Sequence, residues 1–264
     1  MEIHSSKPEN VYLSEYIKFL KTQTLAPAKS SVYYLDQFTC AKHMARILPC
    51  TMYLFDFRTQ QYLYVSKECA SILDYTADEL SEKGLDWVLE QIHPNDRQVL
   101  TDKAFKLFIN SARKLSVDDL RNTSFSVNYR IKRKNGFYIH VFDRYVIAET
   151  DRKGNPLVVL GIYMDMSAHK LDSKIIFSID HYTKDQGFSN KLTTSFPGPE
   201  IKLSDREKEV LQLISLGYPT KQIADQLKIS AYTVNAHRHN LLEKTGSQNT
   251  AQLLSNALLL GWDK

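Results

Sequence analysis

The pair Asn135-Gly136, set between the runs "FSVNYRIKRK" and "FYIHVFDRYVIAE", restricts the fold of this chain more than any other feature. Both runs are rich in β-branched and aromatic residues, and Asn-Gly accepts the positive φ that a tight turn requires, so the two runs are expected to pair as an antiparallel hairpin. Upstream, "MYLFDFRTQQYLYVS" reads as two short strands around a turn at Thr59–Gln60, with Tyr53, Phe55 and Phe57 on one face. Downstream, "DRKGNPLVVLGIYMDM" supplies another turn and another strand. Helical segments lie between the first strand pair and the hairpin, including "DYTADEL", where Thr76 and Glu79 have capping-box spacing.

The period is different on either side of this β-rich stretch. "VYLSEYIKFL" puts Val11, Tyr12, Tyr16, Phe19 and Leu20 at three- and four-residue spacings, and a second helical stretch runs from about Ser30 to Leu48. After residue 170, "KIIFSIDHY" reads as an extra strand or as part of a linker, and "FPGPE" at 196–200 is a turn-rich break. An all-helical block follows. The expected division is a helical segment over 1–48, a β-containing domain over 49–170, a linker with one optional strand over 171–199, and a helical domain over 200–264.

With 43% apolar and 24% charged residues the chain has the composition of ordinary globular protein, and a net charge of +4 neither demands nor excludes nucleic acid. Cys40, Cys50 and Cys69 form no Cys-x-x-Cys and leave one thiol over in any pairing, which points to reduced thiols. The N-terminus lacks the apolar run of a secretion signal, and "PLVVLGIYM" and "ALLLGW" fall short of a membrane span. The expectation is a soluble, cytoplasmic protein with no membrane partner. No nucleophile–base constellation, phosphate loop or spaced metal-ligand set is visible, so no catalytic residue, metal or cofactor is assigned and the chain is not expected to be an enzyme.

The segment "SAYTVNAHRHNLLEKTG", Ser230 to Gly246, poses the functional question. On a helical wheel Val234, Leu241 and Thr245 fall together, with Leu242 and His237 at the edges of that stripe. Tyr232, Ala236, His239 and Glu243 lie opposite, with Asn235 on the flank. Ser230 is a good N-cap and Gly246 a natural stop. The exposed side therefore offers short polar groups and a methyl. Asn can pair bidentately with adenine, His can donate to guanine acceptors, and Ala can pack on the thymine methyl. Before it, "LSDREKEVLQLISLG" is an amphipathic helix with a Ser204–Glu207 capping box and Gly217 at its end. "TKQIADQLKIS" is a shorter helix with Ile223, Ala224 and Leu227 inward. Two helices joined through Lys228, Ile229 and Ser230 have helix-turn-helix geometry.

Residues 203–261 resemble the LuxR/GerE family of bacterial DNA-binding domains, carried by Leu203, Arg206-Glu207, Val210-Leu211, Gly217, Lys221, Ile223-Ala224, Leu227, Ser230, Thr233-Val234, His237, Asn240, Lys244 and Gly246. The resemblance implies four helices, the third reading the major groove and the fourth commonly used in dimerisation. It implies base-facing positions at Asn235, Ala236 and His239, and phosphate contacts near Lys221, Thr233 and Lys244. Arg238, near the buried edge of the wheel, is expected to meet a phosphate or to form an internal ion pair rather than to read bases. Two positions depart from the family: Asn235 stands where Lys is frequent, and Pro219 where a Ser or Thr cap is usual, with Thr220 as the substitute cap. The block from Glu200 to Lys264 has eight Lys and Arg against seven Asp and Glu, so tight binding is expected to need a homodimer.

Residues 51–170 resemble the PAS family in the version ending in a PAC segment, through "VSKECASILDYTADEL", "IHPNDR", "NYRIKRKNGFYIHVFDR" and "GNPLVVLGIYMDMSAHK". The resemblance implies an α+β fold, a five-stranded antiparallel sheet with short helices enclosing a core that is either packed or holds a ligand. The Asn-Cys-Arg context of flavin photosensors is missing. Cys69 is read as a packed hydrophobe and His93 as a cap. His140 is read as a pocket group or a solvent-facing strand residue. The set Tyr53, Phe55, Tyr62, Tyr64, Trp87, Phe105, Tyr129, Phe142 and Tyr163 is read as core, and "RIKRK" at 130–134 as a solvated hairpin face. The function expected is a transcriptional regulator that binds double-stranded DNA, with a PAS-like domain that senses a signal, a small molecule being a candidate, or mediates pairing. The alternatives are an interaction module beside a constitutive DNA-binding domain, and a cofactor-binding photo or redox sensor. Pairing surfaces are sought on Tyr12, Tyr16 and Phe19, and on Leu253, Leu254, Ala257 and Leu258.

Overall fold

The computed structural model describes residues 11–37, 49–168, 174–196, 202–245, 247 and 249–260. Cys40, Gly246, Leu258, the helical stretch beyond residue 37 and the Pro-Gly-Pro break all concern positions or side chains outside the described residues. Among the described residues, no helix is long and apolar enough to cross a membrane.

Two helices, α1 (Val11–Lys21) and α2 (Ser31–Gln37), lead into the first strands, β1 (Cys50–Asp56) and β2 (Gln61–Val65). Short helices α3 (Cys69–Leu73), α4 (Ala77–Ser81) and α5 (Leu85–Gln91) follow. A further helical run comprises α6 (Pro94–Gln98), a π-helical turn (Val99–Ala104) and α7 (Phe105–Ala112), and α8 (Val117–Arg121) ends this layer. The chain then forms β3 (Thr123–Lys132), β4 (Tyr138–Thr150) and β5 (Pro156–Asp165). The Asn135-Gly136 turn forms as expected, with Gly136 at φ +93°. The Thr76–Glu79 capping box closes the start of α4 from both directions.

The sequence suggested one strand or a linker after residue 170. Two strands are present, β6 (Ile175–Thr183) and β7 (Gly187–Phe196), and they extend the sheet to seven antiparallel strands in the order β2-β1-β5-β4-β3-β6-β7. Alternation explains both. Ile175, Phe177 and Ile179 point into the main core, while β7 at the sheet edge alternates between half-buried and exposed positions. The first five strands are the expected PAS-type sheet, and the hairpin is an addition to it.

The main core lies between one face of the sheet and the helices. The aromatic face of α1 belongs to it: Leu13, Tyr16, Ile17 and Leu20 are buried, and the Tyr16 hydroxyl donates to the Pro156 carbonyl at 2.6 Å. Tyr12 donates to Asn110 Oδ1 at 3.1 Å. These residues are therefore satisfied within one chain, which removes them as the pairing surface suggested by the sequence. On the opposite sheet face Tyr34 and Leu35 of α2 pack with Met52, Leu54, Val158 and Leu160. Tyr34 donates to Glu149, which also meets Arg58 at 2.9 Å.

The helical block consists of α9 (Asp205–Ser215), α10 (Thr220–Leu227), α11 (Ala231–Thr245) and α12 (Thr250–Leu260). Its separate core holds Val210, Leu211, Ile214, Ile223, Val234, Leu241, Leu253 and Ala257. Leu253 and Ala257 are thus used inside the block. The Ser204–Glu207 capping box starts α9, and Gly217 ends it at φ +84°. Thr220 does not act as a cap. Pro219 holds the N-cap position with extended backbone and no side-chain bond, because a proline side chain has no oxygen to accept the first free N–H groups of the helix.

Candidate nucleic-acid interface and sensor cavity

The wheel drawn from sequence is reproduced in three dimensions. Val234, Leu241 and Thr245 of α11 are buried, while Asn235, Ala236 and His239 are exposed and Tyr232 is 84% exposed. Ser230 Oγ accepts the Thr233 N–H at 3.0 Å, which fixes the start of the helix. Lys228 takes a left-handed conformation at φ +53°, closing α10 so that the chain can turn through Ile229 into α11. Arg206 braces this turn by donating to the Leu227 carbonyl at 2.5 Å. Thr220 Oγ1 donates to Asn235 Oδ1 at 3.4 Å on the exposed face. His239 lies 3.7 Å from Glu243 on the same face.

The cations expected to meet phosphate divide into two groups. Lys221 is exposed at the start of α10. Lys244 is already committed, since its Nζ lies 2.7 Å from Glu207 Oε2, and that carboxylate is buried. Burial works to raise the Glu207 pKa, and the bonds from Lys244 and Ser204 outweigh it and leave it lowered. Arg238 donates to Thr250 Oγ1 at 3.1 Å and ties α11 to α12. Lys244, with its side chain 42% exposed, and Arg238 each make an internal bond. The family resemblance implied the phosphate contact at Lys244, and Arg238, expected at a phosphate or in an internal ion pair, meets a neutral hydroxyl.

In the sheet domain, a cavity of about 190 Å³ opens between the helices and the sheet, lined by Tyr53, Phe55, Tyr62, Trp87, Phe105, Tyr129 and Tyr163 among others. Tyr64 packs on the opposite sheet face and Phe142 is not among the lining residues, so the aromatic set splits. The sequence reading missed the acidic group of this cavity, Asp143. Strand register explains its position. Thr51, Tyr163, Asp143 and Val127 form one cross-strand row, and Tyr53, Gly161, Tyr145 and Phe125 form the next. Gly161 leaves the gap over which the Tyr53 ring lies; a Cβ there would stand 2.3 Å from Tyr53 Cζ. The ring thereby reaches across to Asp143, donating to Oδ1 at 2.9 Å, while Tyr129 donates to Oδ2 at 3.2 Å. Burial pushes the Asp143 carboxyl up to about 7, against the pull of the two tyrosine bonds.

Three further sequence readings meet the structure here. His93 caps α6, its Nδ1 accepting from the Asn95 N–H at 3.3 Å, and burial followed by the nearby Arg130 charge lowers it to about 4. Cys69 is buried, with its thiol directed at the Tyr75 carbonyl. His140 is buried, which removes the solvent-facing reading, and it does not line this cavity. The "RIKRK" run is a solvated face only in its second half, where Lys132 and Arg133 are half-buried and Lys134 is exposed. Arg130 is buried in a two-pronged pair with Asp96 at 2.5 and 3.0 Å, Arg133 meets Asp165, and Lys134 meets Glu79. Among the described residues no group of three or more His, Cys, Asp or Glu could hold a metal ion.

Comparison with known proteins bears on both units. Residues 202–257 match the model of the bacterial regulatory proteins of the luxR family, and residues 62–163 match that of the PAS fold. The chain joins a PAS fold to a LuxR-type domain. A curated relative, the oxygen regulatory protein NreC of Staphylococcus aureus, is 40% identical over 70 residues, which is 26% of this chain. The match spans only 32% of the length of NreC. Among solved structures, a Vibrio cholerae VqmA dimer without target DNA is 17% identical over 87% of this chain and 88% of that one, with a TM-score of 0.31. A PAS domain from Colwellia psychrerythraea is 14% identical over 49% of this chain and 98% of that one, with a TM-score of 0.37. Likeness of that degree carries no further argument. The LuxR-type unit is the one that presents α11 outward, and the PAS unit is the one that encloses the Asp143 cavity.

Proposed function

We propose that this chain is a cytoplasmic transcriptional regulator, not an enzyme, in which the PAS unit receives a chemical signal and the LuxR-type unit reads duplex DNA as a homodimer. The observation that carries the reading is the exposed face of α11. Asn235, Ala236 and His239 project from a helix whose opposite side is anchored by Val234 and Leu241, in a domain of a DNA-binding family. Asn235 and Ala236 suit an adenine and a thymine methyl, and His239 a guanine acceptor. Thr233 and Lys221 supply phosphate contacts in this reading, and with eight Lys and Arg against seven Asp and Glu over residues 200–264 the affinity of one copy is low. Two copies on half-sites about one helical turn apart restore it.

The test is selection of bound sequences from a random duplex pool with the full-length protein, followed by gel shift and sedimentation of the complex. A two-fold-symmetric site bound by two copies is the expected result. Binding with no sequence preference over random duplex would overturn base reading, and a one-to-one complex of full affinity would overturn the dimer. The cavity favours sensing over a purely pairing role for the PAS unit, because a module used only for pairing has no need of an ionisable group inside it.

A further inference from the structure

Asp143 is an unusual group to leave in an aromatic cavity. Each of its oxygens accepts one tyrosine hydroxyl, and among the described residues no Lys, Arg or His pairs with it. A carboxylate has about four acceptor positions, so acceptor capacity remains after the two tyrosine bonds. Two more buried oxygens on the same sheet face, Thr51 Oγ1 and Tyr163 Oη, are cross-strand neighbours with no hydrogen-bond partner beyond each other. Polar groups buried in this state destabilise a fold unless something outside the chain satisfies them.

The surrounding rings indicate what that partner is. Tyr53 meets Tyr62 edge-on at 5.9 Å between centroids and lies tilted at 6.2 Å from Tyr163, and Phe55 meets Tyr62 at 5.2 Å. Faces of electron-rich rings attract a desolvated cation, and a buried carboxylate supplies its counter-charge. The size is limited as well. A dry cavity of about 150 Å³ holds a benzene molecule, and this one, at about 190 Å³, takes one ring with a short substituent. We propose that the PAS cavity binds a compact organic ammonium of single-ring size, whose N–H groups donate to Asp143 while Tyr53, Tyr62, Tyr129 and Tyr163 enclose its charge. This deepens the sensor reading and rests on it only for the consequence at DNA; the binding itself is independent.

Isothermal titration of the full-length protein with benzylammonium chloride and with benzyl alcohol, a neutral compound of similar size, tests the proposal at pH 8. The wild type is expected to bind benzylammonium at least tenfold more tightly than benzyl alcohol. Asp143→Asn should abolish that preference while still taking up benzyl alcohol, and that uptake shows the cavity of the variant to be formed. Equal binding of the two compounds by the wild type, or no binding of benzylammonium, overturns the proposal. If benzylammonium binds selectively but DNA affinity does not respond, the ligand class stands and the sensor reading fails. If DNA affinity responds to some other compound while benzylammonium does not bind, the ligand class fails and the sensor reading stands.

Discussion

Replacing Asp143 by Asn should stabilise the PAS unit at alkaline pH and much less so at acid pH. The folded carboxyl titrates at about 7 against 3.8 for the ordinary group. Ionising it inside the fold therefore costs roughly 4 kcal/mol, at about 1.4 kcal/mol per pH unit of displacement. This is a ceiling, since water entry and side-chain relaxation reduce it. Because the folded pKa lies above the unfolded one, the folded state holds more protons between them. The Asp143 contribution to stability is thus present below pH 3.8, declines as pH rises towards 7, and is gone above that. Asn has the same shape and no charge, and it can still accept from Tyr53. His93 also titrates in this range, held down to about 4 by burial and by Arg130. Its contribution has the opposite sign, and being common to both proteins it cancels in the difference. Urea unfolding at pH 5 and pH 8, followed through Trp87 with Trp262 replaced by Phe in both proteins, gives the two free energies. The advantage of the variant should grow by between 1 and 4 kcal/mol across that interval, on the order set by the displacement above. Parallel curves for the two proteins would show that Asp143 is ionised at no unusual cost, and the reasoning from burial would be wrong.

Asn235→Ala should cost about 1–3 kcal/mol on the preferred duplex and much less on random sequence, the scale of one bidentate base contact; equal losses in a gel-shift titration would remove Asn235 from base reading. Lys221→Ala should lower the slope of log affinity against log salt by about one, while Lys244→Ala should leave that slope unchanged. Instead, Lys244→Ala should destabilise the helical block by about 1–3 kcal/mol, because Glu207 loses its charged partner; a changed slope with unchanged melting would reverse the assignment. Gly161→Ala should destabilise the PAS unit by about 1–3 kcal/mol through overpacking against Tyr53, and the loss should be largely relieved in a Tyr53→Ala background. Additive losses in that thermal-melting cycle would mean that the two residues do not compete for space.

What the sequence made legible was whatever neighbours along the chain determine. The Thr76 and Ser204 capping boxes, the Asn-Gly turn and the buried stripe of α11 each depend on residues within a few positions of one another, and all four form. The errors have a common cause in partners distant along the chain. Arg130 looked like one of four surface cations until Asp96, thirty-four positions away, took it inside. Lys244 looked free until α9 folded Glu207 onto it. The β6–β7 hairpin was underestimated because an edge strand alternating with polar residues gives a weak apolar signal.

The same distinction separates the two functional surfaces. The face of α11 is local: one helix, one wheel, and exposed side chains that need nothing else to be in place. The cavity is assembled from one polar residue on each of five strands, Tyr62, Tyr53, Tyr163, Asp143 and Tyr129 in the spatial order β2-β1-β5-β4-β3. No window of sequence contains it, and no single member identifies it. Tyr163 neighbours Asp143 only because β5 pairs with β4 in that register, and Tyr53 reaches Asp143 only because the intervening position is Gly161. A shift of one residue in either pairing would turn the side chains of one strand to the opposite sheet face. The register that builds the core therefore also builds the cavity around Asp143, and a ligand bonded there would act on the central strands of the sheet rather than on a peripheral loop.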